Sequence, residues 1–286
     1  GGTLRAIPTR AEDDFALPPA EEIEKLITPR TRAILFNSPN NPSGKIYTPE
    51  EVERLARICI EHNLFIISDE VYREMTLSDQ EAFSVLQVDF GNDEMNEKLK
   101  NAIIMIDSAS KTFSLCGVRI GFVVARQPIL EKLSLVVAHT TACVSDIMQY
   151  GVAGAYDAIL SQPSYLQDMR QVYRERLETT IAAVKEYLPN VIAPKPSGAF
   201  YVMLKFPEFE DITEFSHFIL ERFNIGNETV AVTPAANFYL TPGYGRNEIR
   251  IALVVEPEKM RRSINIIAEA LRAFRQFKAN QVRPML

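Results

Sequence analysis

Four short unbroken apolar runs constrain this chain more than any other feature: AILF (33–36), LFIIS (64–68), AIIMI (102–106) and GFVVA (121–125). Apolar without alternation, each has the pattern of a strand buried on both faces. Between the first two lies YTPEEVERLARICIEHN, where Thr48 is placed to cap a helix, Pro49 to open its first turn and Glu51 to complete a capping box. Val52, Leu55, Ala56, Ile58 and Cys59 make its apolar stripe, so the two strands and this helix form a βαβ unit. A second crossover fits between LFIIS and AIIMI, with NDEMNEKLKN as its helix. The connection from AIIMI to GFVVA is much shorter, which predicts an antiparallel pair. The expected fold class is α/β, with a mixed, mostly parallel sheet and helices on both faces.

After Pro128 the pattern turns helical, first from 129 to 160 and then from 163 to 188. Beyond it GAFYVMLKF, ETVAVTPA and NEIRIALVV read as strands, ITEFSHFILERFN as a helix, and an amphipathic helix closes the chain from Pro257 to about Phe277. This predicts a large domain over 1–162 and a smaller α+β domain over 163–286, with the boundary at Pro163.

The formal net charge of −6 arises from 31 basic residues among 37 acidic ones, with no basic stripe for nucleic acid. Cys59, Cys116 and Cys143 show no CxxC spacing and no neighbouring histidine cluster. That speaks against structural zinc and for a reducing, cytoplasmic setting. The apolar runs fall far short of the roughly 20 residues that span a bilayer. His62, His139 and His217 are isolated, and His139 and Cys116 read as packing residues.

Polar residues cluster where the runs end, the place where open α/β sheets bind ligands. AILF is followed by NSPNNPSG with Asn41, LFIIS by Asp69, Glu70 and Tyr72, and AIIMI by Ser108, Ser110, Lys111 and Arg119. A lysine amine can hold an aldehyde cofactor covalently. Pyridoxal 5'-phosphate is such an aldehyde: its pyridine nitrogen calls for a fixed carboxylate, which Asp69 offers, and its ring oxygen for donors such as Tyr72 and Asn41. Its phosphate calls for a guanidinium and hydroxyls, offered by Arg119, Ser108 and Ser110. Taken singly, each residue has a plainer reading: Lys111 as a solvated loop lysine, Glu70 as the cap of a following helix, Arg250 as half of an ion pair, NNPSG as a tight turn.

With NNPSG, SDEVYREM, SASKTFSLCGVRIGF, PSGAFYVML and NEIRIALVV in order, the whole chain resembles the class I/II pyridoxal-phosphate-dependent aminotransferases, the aspartate and aromatic aminotransferase group of fold type I. The resemblance implies that Lys111 is the internal-aldimine lysine and proton carrier, that Asp69 pairs with the pyridine nitrogen and that Asn41 and Tyr72 hold the ring oxygen. It further gives the phosphate to Ser108, Ser110 and Arg119, and the substrate α-carboxylate to Arg250, with Asn41 also facing substrate. It implies a homodimer acting on amino acids and 2-oxo acids, with aspartate, alanine or aromatic donors and 2-oxoglutarate as acceptor. One aspartate branch uses a second arginine, and none occurs from Pro128 to Met169. Relatives carry a further stretch ahead of GGTLRAIP, which supplies a helix N-terminus to the phosphate, a ring-stacking aromatic and a tyrosine that crosses the dimer. Two other functions fit the same resemblance: a C–S lyase or synthase on this fold, and a cofactor-sensing domain of a transcription regulator.

Overall fold

The computed structural model describes residues 2–282 other than Ala142 and Pro163. Two compact units emerge: residues 16–171 with 197–199, and a second unit made of the amino-terminal residues up to Phe15, Val172–Pro196 and the chain from Phe200 onward. The boundary expected at Pro163 lies outside the described residues, and the division by contact falls further on, inside a helix.

The first unit opens with α1 (Ala20–Glu24) and continues through β1 (Ala33–Asn37), α2 (Pro49–Glu61), β2 (Phe65–Asp69), α3 (Asp93–Ala102) and β3 (Ile103–Ser108). A short α4 (Ala109–Thr112), β4 (Gly121–Ala125), α5 (Gln127–Thr140) and α6 (Asp146–Ser161) follow. The strands lie in the order β1-β2-β3-β4, the first three parallel and β4 antiparallel to β3, as the connection lengths predict. The capping box forms: Thr48 Oγ1 accepts from the Glu51 amide at 3.2 Å and Glu51 Oε2 from the Thr48 amide at 2.9 Å. It satisfies two N–H groups that have no partner inside the helix and starts α2 where its buried stripe meets β1 and β2.

Burial alternates along β1, β2 and the start of β3, whereas β4 is largely exposed. Ile34, Phe36, Ile66, Ile103 and Met105 are buried, while Leu35 is 63% exposed and Phe65, Phe122, Val123 and Val124 are exposed as well. The unbroken runs had pointed to cover on both faces; an apolar run reports which side chains gain by leaving water, not which surface lies over them. Val152 of α6 packs against Ala109 and Ile120, beside Phe113 and Tyr156.

α7 (Ser164–Tyr187) contains the division between the units. The second unit holds β5 (Tyr201–Lys205), α8 (Thr213–Arg222), β6 (Thr233–Pro234), β7 (Glu248–Ala252) and α9 (Pro257–Val282). Its sheet runs β5-β7-β6, all antiparallel. β6 is shorter than ETVAVTPA promised, and it ends at Pro234, which has no N–H to give a ladder. Phe206, Phe215 and Phe274 form an aromatic core with ring centroids 5.5–6.1 Å apart. Ala11 and Phe15 join Met203 and Ala235 in one buried cluster, which ties the start of the chain to this unit. No helix among the described residues is long and apolar enough to cross a membrane.

Replacing Thr48 with alanine removes the acceptor of the capping box, and urea denaturation is expected to show a loss of about 1 kcal/mol.

Candidate active site

The carboxyl ends of β1 and β2 are tied together by a side chain. Asn37 sits opposite Asp69 in the parallel register, and its Nδ2 donates to the Asp69 carbonyl at 2.8 Å. Its Oδ1 accepts from the Asn41 amide at 2.7 Å, so one amide group fixes the loop that carries Asn41. Asn41 Nδ2 in turn donates to the Tyr72 hydroxyl at 3.4 Å. Sequence reading missed Asn37; the available signal was an amide side chain on the last residue of a strand.

That loop is closed by short contacts. Gly44, at φ +71°, donates to the Asn40 carbonyl at 2.8 Å, and its own carbonyl accepts from Ser197 and Gly198 at 3.0 and 2.8 Å. A Cβ on Gly198 would lie 2.8 Å from Pro39, so only glycine permits this approach. The NNPSG and PSGAF motifs therefore meet, which explains why residues 197–199 belong with the first unit.

Past β2, the Glu70 amide donates to the Ile106 carbonyl at 2.8 Å and extends the ladder beyond Asp69. Glu70 caps no adjacent helix. It is buried, and its Oε1 accepts from Ser68 Oγ, Ser84 Oγ and the Val85 amide at 2.8–3.0 Å, which anchors the turn at Val85–Gln87. Tyr72 is buried, with the Lys111 ammonium 5.4 Å from its ring centroid. Asp69 Oδ1 accepts from the Val71 amide at 3.3 Å, and burial pushes its carboxyl above the ordinary value.

Beyond β3, Ser108 caps α4, its Oγ accepting from the Ser110 amide at 3.3 Å. Lys111 follows on α4 and its Nζ lies 3.7 Å from Cys116 Sγ. Cys116 is exposed rather than packed, and its thiol donates to the Ser110 carbonyl at 3.3 Å. Arg119, at φ +59°, donates from Nη1 to the Cys116 carbonyl at 3.0 Å. Two positions on, Gly121 pairs with Ser108. His139 is likewise exposed, its Nδ1 2.6 Å from the Leu135 carbonyl of its own helix.

Tyr72 thus meets both Asn41 and Lys111, Asp69 ends β2 three residues before Tyr72, Ser108 and Ser110 lie at the cap and in the turn of α4, and Arg119 follows in the loop to β4. Arg250 belongs to the other unit. It lies on β7 with its guanidinium carbon 4.4 Å from the Tyr201 ring centroid and 4.6 Å from that of Phe238. Two aromatic rings flank its guanidinium. A second acid went unnoticed in the sequence: Asp107, raised by burial and faced by Arg73 at 3.3 Å.

The family model for aminotransferase class I and II matches residues 1–267. The chain belongs to this family. Its members depend on pyridoxal phosphate. The chain is 32% identical over 273 residues to the aspartate aminotransferase of Bacillus subtilis strain 168, covering 93% of this chain and 62% of that protein. It is 31% identical over 273 residues to aromatic-amino-acid aminotransferase 2 of Thermococcus litoralis, covering 95% and 65%. Thermus thermophilus aspartate aminotransferase, solved with maleate, superposes with a TM-score of 0.79 at 26% identity over 92% of this chain and 63% of that one. The chain spans less than two thirds of the length of these relatives.

The donor set fits the family's cofactor: a half-buried amine beside a phenol and an amide, and a half-buried carboxyl at the end of β2 whose desolvation a cation would relieve. Because Asp69 is raised in the folded chain, the native state holds extra proton as pH climbs from the ordinary carboxylate value to the raised one, and stability is lost across that window. Asp69→Asn removes this loss, so urea midpoints from about pH 3 to about pH 7 should fall less with rising pH in the variant than in the parent.

Proposed function

We propose that this chain carries the catalytic lysine and most of the cofactor contacts of a pyridoxal-phosphate-dependent aminotransferase, which moves an amino group from an L-amino acid to a 2-oxo acid. The pairing of Tyr72 with Asn41 and with Lys111, beside half-buried Asp69, is the observation that carries this reading. The cofactor, when bound, supplies an aldehyde that condenses with amines and a pyridinium ring that takes up the electron pair left as the substrate Cα–H bond breaks.

In this reading Lys111 holds the aldehyde carbon in the resting protein. With the cofactor bound, its amine would also carry the proton between the substrate Cα and the cofactor. Asp69 keeps the pyridine nitrogen protonated, and the ring's charge offsets the desolvation that raises the carboxyl. Tyr72 and Asn41 direct an O–H and an N–H to the ring oxygen. Ser108, Ser110 and Arg119 take the phosphate, Arg119 by giving up its bond to the Cys116 carbonyl. Arg250, flanked by Tyr201 and Phe238, takes the α-carboxylate in a two-point contact, with Asn41 also facing the substrate.

The named activities of the relatives support aspartate or an aromatic amino acid as donor; the acceptor in this proposal is 2-oxoglutarate. The apolar residues exposed on α5 and α6, Leu135, Val136, Ile147 and Leu160 among them, support a homodimer. We place the enzyme in the cytoplasm, consistent with three free cysteines.

The test is the visible absorption of the chain with added pyridoxal phosphate. A band that forms, shifts to the amine form of the cofactor with aspartate or phenylalanine and is missing in Lys111→Ala is the expected outcome. A band of equal strength in the variant would remove Lys111 from its role.

A further inference from the structure

We propose that Lys111 and Cys116 are a redox-gated pair: peroxide oxidation of the Cys116 thiol closes a covalent sulfur–nitrogen bond to Lys111 and takes the amine out of use. Five residues apart, the two side chains are brought into contact by the loop between them. Ser114, at φ +55°, reverses the chain after α4, and the Cys116 thiol is held by the Ser110 carbonyl at 3.3 Å while the Cys116 carbonyl accepts from Arg119 at 3.0 Å. The sulfur then lies 3.7 Å from Lys111 Nζ and is open to solvent. An accessible thiol touching an amine is a modification site for a small peroxide, of which hydrogen peroxide is the simplest.

The chemistry balances in two steps. First, the thiol sulfur attacks one peroxide oxygen: the O–O bond breaks, Cys116 becomes a sulfenic acid and water leaves, so sulfur is oxidised and peroxide reduced. Second, the neutral Lys111 amine attacks that sulfur: an S–N bond forms, the S–O bond breaks and a second water carries off the hydroxyl and one amine proton, with no further change in oxidation level. Two equivalents of an external thiol reverse the link, the first displacing the amine to leave a mixed disulfide and the second releasing Cys116. The pair thereby shields the sulfur from over-oxidation and silences the amine reversibly.

The consequence for catalysis rests on the proposed role of Lys111, whereas the bond itself is measured on the chain without cofactor. The chain is treated with hydrogen peroxide and followed by intact mass and peptide mapping. The expected product has lost about 2 Da, with the peptides bearing Lys111 and Cys116 joined, and it returns to the starting mass with dithiothreitol. Cys143→Ser, which removes the other exposed thiol, keeps the link; Cys116→Ser and Lys111→Ala lose it. In Lys111→Ala the sulfenic acid persists and is captured by dimedone several-fold more than in the parent. The oxidised parent gives no cofactor band until thiol is added. Sulfinic acid accumulating at Cys116 without a link, a Cys116–Cys143 disulfide in its place, or equal dimedone capture in parent and Lys111→Ala would overturn the proposal. If Lys111 fails to hold the cofactor, the mass result stands unaffected, and if the link fails to form, the cofactor spectrum of the reduced chain stands.

Discussion

Three parallel strands end in register, and the site hangs on that register. Asn37 lies opposite Asp69, and Asp69 opposite Ile106. The ladder continues past the strands: Asn37 bonds the Asp69 carbonyl and the Glu70 amide bonds that of Ile106. Because side chains alternate with period two, a slip of one residue would turn Asp69 to the face now occupied by Ser68 and break the Asn37 bridge. The antiparallel return of β4 then sets Arg119 two residues before the partner of Ser108. Groups from four separate stretches of chain reach one end of the sheet through backbone pairing and the Asn37 side chain.

Electrostatics separates two half-buried acids that the sequence presents alike. Asp107 faces Arg73 in a partly exposed ion pair. Asp69 has a backbone N–H from Val71 as its donor and is raised by burial. The difference is the guanidinium: Asp107 already has Arg73 beside it, and a cation brought to Asp69 would favour its charged form in the same way. On the other unit, two aromatic rings flank the Arg250 guanidinium.

The parts legible in the sequence were those that local chemistry decides. Thr48, Pro49 and Glu51 announced α2, the short link announced the antiparallel β4, and the polar groups after each apolar run marked the strand ends. What escaped depends on contacts distant in sequence. Asn37 reads as the start of a loop until Asp69 is known to lie beside it. Ala11 and Phe15 pack against Met203 and Ala235, nearly two hundred residues on, so no local pattern could assign the first fifteen residues to the second unit. Cys116 looked like a packing residue because its neighbours are apolar, yet the left-handed turn at Ser114 carries it out to Lys111.

The most direct measurement is borohydride reduction of the chain equilibrated with pyridoxal phosphate, followed by peptide mapping of the cofactor's mass. If the strand ends hold the cofactor as described, label collects on Lys111 well ahead of exposed lysines such as Lys98 and Lys185, and Asp69→Asn lowers that preference. Label spread over surface lysines, with Lys111 modified no more than they are, would contradict the account.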